Sequence, residues 1–92
     1  MTRRFTRVQI AELLDLDEGF LVELERHEIV LPGPERRYDA AAVERVRVCW
    51  TMHDALGVNL AGLEVVLHLL DRLEAERRHV HELLQRYRDE SE

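Results

Sequence analysis

From Asn59 to Arg88 the chain contains no proline and a single glycine, Gly62, so nothing in that stretch stops a helix. Leu63, Val66, Leu70, Leu73, Arg77, Val80, Leu84 and Tyr87 fall alternately three and four residues apart, and all but Arg77 are apolar. This spacing makes the seam of a coiled coil, narrower than the stripe of an ordinary surface helix. Leu67, Leu69 and Leu83 widen the seam near its ends. A helix of this span is about 43 Å long, and the segment before it can cover only its first turns. Its far end needs a second long helix, which the chain does not offer. A second copy of the protein supplies one, so a two-fold homodimer is expected. Arg77 interrupts the seam as a snorkelling side chain with a wet head or as a polar position that sets register.

Length and charge bound the rest. Ninety-two residues make one small domain plus an extension, with a thin core if the protein is a monomer. Thirteen basic against nineteen acidic residues leave a net charge of −6, which argues against a generic binder of phosphate backbones. All thirteen basic residues are arginine. The single Cys49 excludes an intrachain disulfide and fits a reducing cytoplasm. The N-terminus lacks the apolar run of a signal peptide, and no stretch approaches the length of a membrane span. A cytoplasmic location is expected.

Thr6-Arg7-Val8-Gln9 is a capping box, with Phe5 and Ile10 at the staple positions around it. The first helix is expected from Arg7 to Leu14, with Ile10, Leu13 and Leu14 inward, and Thr2–Phe5 is at most a short strand. Asp17 caps a second helix from Glu18 to His27, with Leu16 and Leu21 as its staple and Phe20, Leu21 and Leu24 buried. Two short helices across a tight turn make a helix-turn-helix. Ile29-Val30-Leu31 then reads as a strand, Pro32-Gly33-Pro34-Glu35 as a turn and Arg36-Arg37-Tyr38 as the returning strand, together a small hairpin wing. Asp39 caps a third helix over Ala40–Leu56 with an apolar stripe of Val43, Val46, Trp50 and Leu56. Gly57 ends it, and Asn59 caps the long helix.

This order resembles the MerR family of winged helix-turn-helix proteins over nearly the whole chain. The resemblance is carried by Thr6–Leu14, Ile29-Val30-Leu31-Pro32, Arg36-Arg37-Tyr38-Asp39 and Gly57-Val58-Asn59-Leu60-Ala61-Gly62-Leu63. The last string is especially similar to the heat-shock repressor HspR. The resemblance implies a mainly all-α fold, with residues 1–57 as a winged helix-turn-helix body and residues 58–92 as a long C-terminal helix forming a coiled-coil dimer. It also implies that the second helix would enter the DNA major groove and that Arg36, Arg37 and Tyr38 on the wing would contact DNA.

The second helix does not suit that task. Between residues 17 and 28, Asp17, Glu18, Glu23, Glu25 and Glu28 face Arg26 alone, a balance of −4. Major-groove helices bring donors and cations to base edges and phosphates. At 100° per residue Val22 and Arg26 point outward, with Glu18, Glu23 and Glu25 flanking Val22. An exposed valine inside an acidic rim suits a basic protein surface better than DNA; the plainer alternative is a solvated face with one stray valine. The CbpM family, chaperone modulators of the DnaJ-like co-chaperone CbpA, is similar in length, in its acidic second helix and in its Leu-rich last helix. That resemblance implies binding and inhibition of a J-domain, with Glu18, Val22, Glu23, Glu25 and Arg26 as the partner-binding residues. A DNA-binding regulator of the HspR kind is the alternative.

Catalysis and metals find little support. There is no glycine-rich phosphate loop and no nucleophile–base grouping. Cys49 and His53, four apart on one helix, have the spacing of two metal ligands but lack a third. Cys49 and Trp50 read as core, and His27, His68, His79 and His81 as surface. No enzymatic activity, cofactor or metal is expected.

Overall fold

The computed structural model describes residues 3–91. Thr2, where the short N-terminal strand was expected to begin, lies outside them, as do Met1 and Glu92. Four helices follow one another: α1 (Arg7–Leu14), α2 (Glu18–Arg26), α3 (Ala40–Leu56) and α4 (Leu60–Glu90).

Side chains next in sequence start each helix. The Gln9 N–H donates to Thr6 Oγ1 at 3.2 Å and the Thr6 N–H to Gln9 Oε1 at 2.9 Å, closing the capping box. Asp17 accepts from the Gly19 N–H at 3.0 Å, Asp39 from Ala42 at 2.8 Å and Asn59 from Gly62 at 2.8 Å. Gly57 ends α3 in the left-handed conformation at φ 67°.

Both short helices end by the same Schellman device. Asp15 (φ 52°) and Glu28 (φ 56°) take the left-handed position usually given to glycine. The next residue's N–H then reaches back, Leu16 to the Ala11 carbonyl at 3.0 Å and Ile29 to the Leu24 carbonyl at 2.9 Å. Leu16 and Ile29 are buried by that reversal.

The expected hairpin over Ile29–Tyr38 is not formed among the described residues, and the backbone explains why. The N–H groups of Ile29 and Val30 both point to the Leu24 carbonyl, so they are committed to the end of α2. Pro32 and Pro34, at alternate positions, have no N–H to give. What remains is a single tight turn over Pro34–Arg36, with Glu35 and Arg36 at φ 59° and 55° as a mirror-image hairpin turn requires. The Gly33 N–H donates to the Arg37 carbonyl at 2.8 Å and closes the loop. Tyr38 pairs instead with Phe5 in an isolated antiparallel bridge, both hydrogen bonds 2.8 Å long.

The core gathers Ile10, Leu16, Phe20, Leu21, Leu24, Ile29, Val30, Tyr38, Val46, Cys49, Leu63 and Leu67. Two residues expected inside are not there. Leu13 is 62% exposed because Ala11, not Leu13, shares the inner face with Ile10 and Leu14. Leu56 is 72% exposed because Trp50 and His53, about two turns and one turn earlier, already cover Phe20. Cys49 takes the place in the stripe that Leu56 was expected to fill.

Only the first two turns of α4 bury side chains against this body. Leu63 and Leu67 are buried and Leu60, Gly62 and Val66 partly so, while every described residue from His68 onward is exposed. Leu63 therefore belongs to the core of the chain itself rather than to the exposed stripe farther along α4. The Arg45 guanidinium on α3 grips the Asp71 carboxylate through two contacts of 2.6 and 3.2 Å where α4 leaves the body. That hydrogen bond holds the Asp71 carboxyl below its ordinary value and Arg45 above its own.

Candidate functional site

α2 lies on the surface with Phe20, Leu21 and Leu24 turned inward, which turns Glu18, Val22 and Arg26 to solvent. Val22 is 39% exposed. Glu23 sits at the edge of the face, 3.5 Å from Arg26 Nη1 and 3.6 Å from His27 Nε2.

Glu25 does not belong to the open rim. Its side chain is only 17% exposed and accepts from Arg7 Nη2 of α1 at 2.7 Å and from the Tyr38 hydroxyl. One carboxylate thus ties α1, α2 and the segment after the turn together. Arg7 also lies 4.0 Å from Glu18, so it neutralises part of the acidic face from below. Tyr38 is buried at 1% exposure and cannot reach a phosphate, so of the three expected wing contacts only Arg36 and Arg37 stand in solvent.

A shallow cleft separates the turn from α2. It is lined by Thr6, Arg7, Val8, Glu18, Glu25, Glu35 and Arg36, with a volume of about 310 Å³. Half-exposed Val8 gives it an apolar wall and Glu35 adds a carboxylate from the turn. The sequence reading missed Val8 and Glu35 as neighbours of α2, and missed Arg7 as the partner of Glu25. The outward position of Val8, two residues before inward Ile10, was the one signal available for any of them.

Along α4 the expected seam residues Leu70, Leu73, Arg77, Val80, Leu84 and Tyr87 are all exposed, with Val66 half-buried. Leu69 and Leu83 are exposed beside them.

The metal-like spacing of Cys49 and His53 assembles nothing. Cys49 is buried, and burial pushes its thiol up to about 11 against a smaller opposing pull from Arg45. The His53 ring stacks on Phe20 with centroids 5.0 Å apart, and its Nδ1–H donates to the Val58 carbonyl at 2.9 Å. Trp50 meets the same Phe20 ring edge to face at 5.1 Å, a packing role. No group of three or more potential metal ligands occurs among the described residues, and no helix among them is long and apolar enough to cross a membrane.

Searches of curated proteins and of solved structures found no match. A family model does match: that of the MerR HTH family regulatory proteins, over residues 5–85. That span takes in the helix-turn-helix, the turn, α3 and most of α4, and with it the chain belongs to the MerR helix-turn-helix family of regulatory proteins.

Proposed function

We propose that this protein is a chaperone modulator that binds and inhibits the J-domain of a DnaJ/CbpA-like co-chaperone, working as a homodimer. The observation that carries the reading is Val22, outward on the helix that relatives use for DNA, with the carboxylates of Glu18 and Glu23 beside it. Phosphate rails would be repelled by such a face, whereas a basic helix would be steered to it. Val8 and Glu35 extend the face toward the turn. Glu25 supports it from below and is not a contact in this reading.

Dimerisation rests on the bare length of α4. From Leu60 to Glu76 the helix carries Glu64, Asp71, Glu74 and Glu76 against Arg72, and from Arg77 to Arg88 it carries four arginines against Glu82. Two copies packed antiparallel set each half against its opposite, and two packed in parallel set like against like. The antiparallel arrangement is the one we propose, with Leu70, Leu73, Val80, Leu84 and Tyr87 as its dry seam.

Rim charge acts mainly on association and a central dry contact mainly on dissociation. Glu18→Lys with Glu23→Lys should slow binding to an immobilised J-domain and flatten its salt dependence. Val22→Asp should speed dissociation, with a loss of about 2 kcal/mol if it is a well-buried anchor. If these variants all inhibit the co-chaperone as the wild type does, α2 is not the docking face. The second reading, a DNA-binding regulator of the HspR kind, is favoured by one observation: Arg36 and Arg37 stand exposed on the turn. Nanomolar binding of a promoter fragment at physiological salt would replace the first reading with this one.

A further inference from the structure

Arg4, Arg36 and Arg37 are all exposed, and none makes an ion pair among the described residues. In contrast, Arg7, Arg26, Arg45 and Arg47 each hold a carboxylate within 4.0 Å. Arginines on α4 are unpaired as well, but only these three are brought together, by the pairing of residues 4–5 with the turn and its returning segment, at one edge of the body. The Phe5–Tyr38 bridge pins the N-terminal segment beside the turn. Arg4 then lies across the turn's base, its Nη1 3.0 Å from where a side chain at Gly33 would begin, so the glycine leaves the room that the guanidinium occupies. The Gly33–Arg37 hydrogen bond fixes the loop under it. Arg36 stands at the second central position of the turn. Arg3 is not part of the group; its guanidinium stacks on the Phe5 ring at 5.2 Å.

We infer that this edge is a second docking surface, for an acidic polypeptide segment of a partner protein. Guanidinium forks match carboxylates in paired hydrogen bonds, and three of them without internal partners pay no ion pair to engage one. The neighbourhood selects a narrow ligand. Arg36 shares its cleft with Glu18 and Glu35, and the acidic α2 lies beyond. A duplex brings two rails of phosphate and would press one against those carboxylates, whereas a single extended Asp/Glu strand can follow the edge alone. The molecule then carries an acidic face on α2 and a basic edge at the turn, and could join two partners of opposite charge. This inference does not depend on the J-domain reading.

The test is fluorescence anisotropy with the full chain, a labelled oligoglutamate peptide and a duplex of random sequence. Oligoglutamate should bind at low salt and be released as salt rises. Arg4→Ser with Arg37→Ser should weaken it roughly tenfold, at an unchanged melting temperature. Arg4→Lys with Arg37→Lys, which keeps the charge and loses the fork, should lose less. Three results would each overturn the inference: the wild type leaves oligoglutamate free at low salt, the serine variant binds it equally well, or duplex displaces it from the same arginines with higher affinity.

Discussion

Replacing Glu25 should unfold the body more readily than its place on an acidic surface helix suggests. Glu25→Ala removes the acceptor of the Tyr38 hydroxyl and of Arg7 Nη2 together. Tyr38 is buried, so its hydroxyl loses its protein partner in a place that water reaches poorly, which costs about 1–3 kcal/mol. The lost bond to Arg7, whose side chain is 31% exposed, adds roughly 1 kcal/mol after solvent screening. The sum is about 3 kcal/mol, a fall of roughly 12–24 °C in melting temperature for a domain of this size. Glu25→Gln keeps an acceptor for Tyr38 and gives up the charge toward Arg7, so its cost should be about half. Tyr38→Phe alone should cost about 1 kcal/mol in the wild type and should restore part of the lost stability in Glu25→Ala, because there it removes a buried hydroxyl that has no partner. Circular dichroism melts of the four chains, at one protomer concentration, complete the cycle. A Glu25→Ala melt within about 2 °C of wild type, or an equal Tyr38→Phe cost in both backgrounds, would refute the role assigned to this carboxylate.

Leu73→Glu with Leu84→Glu should turn a sedimenting dimer into monomers or aggregates; a wild type that stays a folded monomer at micromolar concentration would defeat the dimer proposal. Gly62→Ala should lower stability even though alanine favours a helix by about 1 kcal/mol. A Cβ there would sit 2.8 Å from Val58 Cγ1 and 3.3 Å from the capping Asn59 Oδ1, and a raised melting temperature would show that Val58 gives way. Cys49, with its thiol near 11 and buried, should resist iodoacetamide at pH 8 and react once urea unfolds the chain; rapid labelling of the native protein would contradict its place in the core. Asp71 ionises more readily in the folded chain than in the unfolded one, so its stabilising effect is full above the ordinary aspartate range and fades as pH falls through the folded value. Because the pair is largely solvent-exposed the effect is small, under about 1 kcal/mol, and Arg45→Leu should flatten the acid limb of the stability curve; an unchanged limb would mean the pair contributes nothing.

The sequence was most legible where a structure depends on residues a few places apart. Thr6, Asp17, Asp39 and Asn59 cap their helices by reaching two or three residues ahead, and each cap was readable from side-chain chemistry alone. The family-scale order of helices followed from those starts and from Gly57. What failed depended on groups far apart or on competing claims to one backbone donor. Glu25 looked like a rim residue because Arg7 and Tyr38, eighteen and thirteen residues away, are joined to it only by tertiary packing. Ile29-Val30-Leu31 had the composition of a strand, but the left-handed Glu28 had already bent the first two N–H groups back onto α2. Leu63 fitted the heptad as well as Leu70 did; spacing along one helix does not reveal that the first two turns meet α3.

The burial of Leu63 and Leu67 has a consequence for how the chain matures. While the polypeptide is being made, α1, α2 and α3 emerge first, and their shared interior stays open until residue 67 has followed. Closure of the body therefore waits for the start of the very helix whose remainder it does not need. A fragment ending a few residues beyond Asp71 keeps Leu63, Leu67 and the Arg45 clasp, and so holds everything the interior requires. One ending at Gly57 leaves that interior exposed, a ready target for chaperones and proteases.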